Sequence, residues 1–101
     1  MSKIYIAVCI TGEYEDYRRL KILAFLDKTQ CDKYVEKLND WAVENNVHDT
    51  CGHINPDNIH CPLYPKGKEF FSMGGYGVDY ATDEVDLYSG PFDNSLYTEN
   101  V

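Results

Sequence analysis

The chain has 101 residues, 44% of them hydrophobic, and a formal net charge of −8. That length and apolar share suit one domain with one core. The acidic balance argues against direct docking on a nucleic-acid backbone or an anionic membrane, which calls for clustered Lys and Arg, and points to a basic protein surface, or a basic cofactor, as partner.

The apolar run from Ile4 to Ile10 is far too short to span a bilayer, and no small-residue cleavage site follows it. The chain therefore reads as cytoplasmic. In that compartment Cys9, Cys31, Cys51 and Cys61 read as thiols or ligands rather than disulfides.

Residues 3–11 alternate with period two. Ile4, Ile6, Val8 and Ile10 share one face and Tyr5, Ala7 and Cys9 the other. Two apolar faces predict a central strand. Gly12 breaks the run, a polar turn follows, and residues 18–26 read as the antiparallel partner.

Asp27 is a suitable N-cap for a helix over residues 28–45, with Gln30 three residues on. Cys31, Val35, Leu38 and Ala42 form its apolar stripe, widened by Tyr34 and Trp41. The hairpin is the nearest surface for that stripe to cover. The Tyr5, Ala7 and Cys9 face is then expected on the open side of the sheet, where another chain could bind if nothing covers it.

Residues 46–67 form an irregular, proline-bearing loop, either mobile or tied down. Phe70 and Phe71 are expected to help close the core. Residues 82–89 read as the last strand, and residues 90–101 as a loose acidic tail. The expected fold is a single α+β domain of β-β-α-β order: a small, mostly antiparallel sheet with one main helix packed on one face.

Residues 4–39, with residues 78–90, resemble a group of small phage and bacterial proteins of unknown function. The shared pattern is a strand, a Gly-Glu-Tyr-x-Asp-Tyr turn, a second strand ending in phenylalanine, a capped helix, and a late Glu-Val-x-Leu strand. Here the turn is Gly12, Glu13, Tyr14, Asp16 and Tyr17, and the late strand holds Glu84, Val85 and Leu87. The resemblance implies the fold and a phage or mobile-element setting, hence a host cytoplasm. It implies no activity.

Two regions carry candidate chemistry. All three histidines and two cysteines fall within residues 48–61. Cys51, His53, His60 and Cys61 would make a tetrahedral zinc set, with His48 in reserve, although adjacent ligands at 60 and 61 are awkward. A Cys51–Cys61 disulfide and a solvated loop are the alternatives.

The second region is acidic. After Lys68, the last basic residue, seven acidic residues follow, with Tyr76, Tyr80, Tyr88 and Tyr97 among them. Tyrosines between carboxylates suit a protein interface, and carboxylates along a strand can stand in for a row of phosphates, as in a nucleic-acid mimic. Tyr76, Asp79, Tyr80, Asp83, Glu84, Asp86 and Tyr88 are the predicted partner-binding set. No nucleophile-elbow, phosphate-loop or metalloprotease pattern is present, so no catalytic residue is assigned.

The function expected is a non-catalytic, phage-encoded accessory protein that binds and inhibits a host protein, of anti-CRISPR or anti-restriction type. A zinc-stabilised structural or self-assembling module, forming a homodimer, is one alternative. A small hydrolase or ligand-sequestering protein is another.

Overall fold

In the computed structural model, which describes residues 2–12, 17–47, 60–70 and 77–89, strand β1 (Ser2–Thr11) is the centre of a three-stranded antiparallel sheet. Strands β2 (Arg18–Phe25) and β3 (Val78–Leu87) flank it, and helix α1 (Lys28–Glu44) packs on one face. The fold is the expected small α+β arrangement in β-β-α-β order. No described helix is long and apolar enough to cross a membrane.

Gly12 leaves β1 at φ 86, a conformation that favours glycine. The register of β2 then slips once. Ala7 pairs with Leu23 and Val8 with Lys21, so Ile22 is an extra residue. That bulge turns Ile22 into the core, where it is 5% exposed.

Asp27 caps α1, its Oδ1 accepting from the Thr29 N–H at 2.9 Å. The buried helix residues are Cys31, Val35, Leu38 and Ala42, the predicted stripe. At the other end Asn46 takes φ 58, the Asn46 N–H donates to the Val43 carbonyl, and the Val47 N–H donates to the Ala42 carbonyl. This paired closure ends the helix and buries Val47.

Two expectations need correction. First, α1 covers β1 and β3 more than it covers β2. Ala7 and Cys9 lie under it, 0% and 2% exposed, and Tyr5 packs against the same core. The open face instead carries Ile4, Ile6 and Ile10, all half-buried. Small side chains at Ala7 and Cys9 let the helix approach closely. Second, β3 starts at Val78 rather than at residue 82. Val78 and Tyr80 pair with Thr11 and Cys9 and belong to the core.

Cys61, Leu63, Tyr64 and Phe70 close the core beside α1. The Tyr34 hydroxyl donates to the Leu63 carbonyl at 2.6 Å, and Trp41 meets Phe70 edge-on with ring centroids 5.5 Å apart. The described ends of the 46–67 loop are thus tied down by packing and hydrogen bonds. Phe71 lies outside the described residues.

Candidate functional site

Among the described residues β3 is an edge strand, and its two halves differ. At Val78, Tyr80, Glu84 and Asp86 the backbone N–H and C=O point away from β1, because hydrogen-bonded partners alternate along an antiparallel pair. In the first half the Val78 N–H and both Tyr80 groups are covered. The Val78 N–H donates to the Val47 carbonyl at 2.8 Å. The Asn39 side chain meets Tyr80 twice, its Nδ2 donating to the Tyr80 carbonyl at 3.1 Å and its Oδ1 accepting from the Tyr80 N–H at 3.0 Å. Thr82 then anchors the strand to the start of α1, its hydroxyl donating to Asp32 Oδ1 at 2.8 Å.

Past Thr82 the strand leaves the helix. β2 pairing ends at Phe25 opposite Tyr5, so residues 2–4 and 85–87 continue as a two-stranded ribbon. Glu84, Val85, Asp86, Leu87 and Tyr88 are all exposed, Val85 by 52%. Glu84 and Asp86 share one face of the ribbon, roughly 7 Å apart, and Val85 and Leu87 share the other.

Lys3 and Arg19 form ion pairs with carboxylates of β3, and Lys28 at the start of α1 also attracts Glu84. Lys3 Nζ lies 2.8 Å from Glu84 Oε2. The hydrogen bond and attraction between them lower the Glu84 pKa and raise that of Lys3. On the open face, the Arg19 guanidinium grips Asp83 through two nitrogens, the Nε bond measuring 3.3 Å, and also takes the Tyr17 hydroxyl. Asp83 holds the Arg19 pKa above its ordinary value. Arg19 sits opposite Ile10 and Asp83 opposite Ile6, so their pair crosses β1 at Val8, which is only 1% exposed. Asp79 and Asp86 have no ion-pair partner among the described residues. β3 therefore presents pairs of carboxylates on alternating faces rather than one continuous row.

The predicted partner-binding set is accordingly divided. Asp86 is on the ribbon, Glu84 and Tyr88 lie at its two ends, and Asp79 and Asp83 are on the open face. Tyr80 is a correction: it is 5% exposed and faces α1. Its hydroxyl is 2.9 Å from that of Tyr64, and both phenols touch the Cys9 thiol. Burial is the main cause that pushes Cys9 up to about 11 and raises both phenols. Burial likewise raises Cys31 and Cys61. These thiols stay protonated near neutral pH and are poor nucleophiles there. Tyr76 lies outside the described residues.

Of the predicted zinc set, two members are described. His60 is exposed, whereas Cys61 is a buried thiol, 1% exposed and part of the core. Cys51, His53 and His48 lie outside the described residues. Among the described residues no group of three His, Cys, Asp or Glu side chains is placed to hold a metal.

Sequence reasoning missed Lys3, Arg19 and Asn39. Lys3 and Glu84 are 81 positions apart, and only the β1–β3 register brings them together. Compared with protein-family models, curated proteins and solved structures, the chain matches none of them.

Proposed function

We propose that this chain is a non-catalytic binding protein that docks its acidic β1–β3 ribbon on a basic surface of another protein. The observation that carries this reading is the exit of β3 from under α1. It leaves Glu84 and Asp86 on one face and Val85 and Leu87 on the other, all exposed. Apolar side chains rimmed by charge are what a modest interface needs, and the net charge of −8 draws a basic partner in.

The partner class we propose is a host defence nuclease complex, of CRISPR or restriction type, with this chain as a phage-encoded inhibitor. Surfaces that hold nucleic acid are basic and suit this charge. The phage setting rests on the resemblance of residues 4–39 and 78–90.

Retention of proteins from a bacterial lysate on the immobilised chain tests the reading. A partner should be held at about 0.05 M salt and released near 0.5 M, where screening is short-ranged. The double variant Glu84→Lys, Asp86→Lys should fail to hold it. Equal retention by the variant, or indifference to salt, contradicts the proposal.

A further inference from the structure

We infer that the edge of β3 at Glu84 and Asp86 accepts an extended segment of the partner as an added strand, one that alternates basic and apolar residues. This rests on the docking function proposed above and names the element that docks.

The first support is the contrast within one edge. Val47 covers the outward N–H of Val78, and Asn39 covers both outward groups of Tyr80. Among the described residues nothing bonds the outward N–H and C=O of Glu84 or Asp86. An exposed row of such groups is a template for another strand. The covering at Val78 and Tyr80, where β3 lies beside the helix, leaves the template to the later, exposed part of the strand.

The second support is charge. A second copy of this chain pairing antiparallel here would set Glu84 and Asp86 against the same carboxylates, and like charges directly opposite are destabilising. A strand with Lys or Arg opposite Glu84 and Asp86 gains instead. The side-chain alternation fixes the rest of the ligand: residues between the cations face Val85 and Leu87 and are apolar. Lys3 is half-exposed in its pair with Glu84, so an incoming cation can share or replace it at little cost.

The test uses the full chain and a short acetylated peptide of alternating Lys and Val. Controls are the same peptide N-methylated along one backbone edge, and a Glu-Val peptide. The Lys-Val peptide should bind and slow amide exchange at Glu84 and Asp86 by about tenfold or more. N-methylation should weaken binding by about tenfold, since backbone donors on the pairing edge are gone. Asp86→Asn should weaken it modestly, and Asp86→Pro further, because both lose the charge but only proline loses the outward N–H. That N–H serves no ladder bond, so the sheet survives the change, as a melting curve would show.

Equal binding of the N-methylated peptide, or unchanged exchange at Glu84 and Asp86, overturns strand addition while leaving charge-directed docking intact. Absence of Lys-Val peptide binding overturns it too. So does a concentration-dependent dimer that protects these two amides without peptide, since a second copy then owns the edge. Failure of the docking reading shows separately, as lysate retention indifferent to salt and to charge reversal.

Discussion

Asn39 shows how one side chain can decide where a strand is open. Its amide stands in for a neighbouring strand at Tyr80. Asn39→Ala leaves a part-buried N–H and C=O without that partner, and the expected cost is about 1–3 kcal/mol in a denaturant titration. A variant as stable as the parent would show the amide is dispensable. In the sequence Asn39 is one polar residue in a helix, and nothing local marks its target. Tyr80 misled for a related reason. Tyrosine suits an interface or a core, and its neighbours Asp79 and Asp83 favoured the interface. Its partner hydroxyl on Tyr64 is visible only in three dimensions. The same cluster sets a pH dependence. The folded Cys9 thiol keeps its proton up to about pH 11, whereas the unfolded thiol releases it near 9.0. Folding stability is therefore full below pH 9 and falls as pH rises toward 11, by on the order of 2–3 kcal/mol from Cys9. Denaturant midpoints at pH 7, 9 and 11 check this; a flat profile contradicts it.

At the scale of elements, helix α1 was legible because its apolar spacing is helical and its cap is a local signal. The face of the sheet that it covers was not. β1 is apolar on both sides, so hydropathy could not choose between them. Two substitutions test that assignment. Ala7→Leu, at a site with no exposure, should cost about 1–3 kcal/mol or more through overpacking. Ile10→Leu, on the open face, should cost less than about 1.5 kcal/mol. Comparable losses at both would put the helix on the wrong side. The start of β3 was illegible for another reason. Its first residues follow a glycine-rich stretch that reads as a bend, and their strand identity comes from pairing with Thr11 and Cys9.

At the scale of the whole molecule, charge and length were the most readable features, and they excluded partners rather than naming one. What the sequence could not supply is the division of the acidic residues: Asp83 tied to Arg19 over Val8, Glu84 shared with Lys3, and Asp86 without an ion pair among the described residues. These arrangements depend on register across the chain. They place the exposed acidic and apolar side chains together at the ribbon, where β3 has left the helix. Amide hydrogen exchange of the isolated chain, resolved along β3, tests this directly. The outward amides of Val78 and Tyr80 should exchange slowly and those of Glu84 and Asp86 fast, within one strand. Slow exchange at all four would mean the ribbon edge is already covered, and would contradict the account.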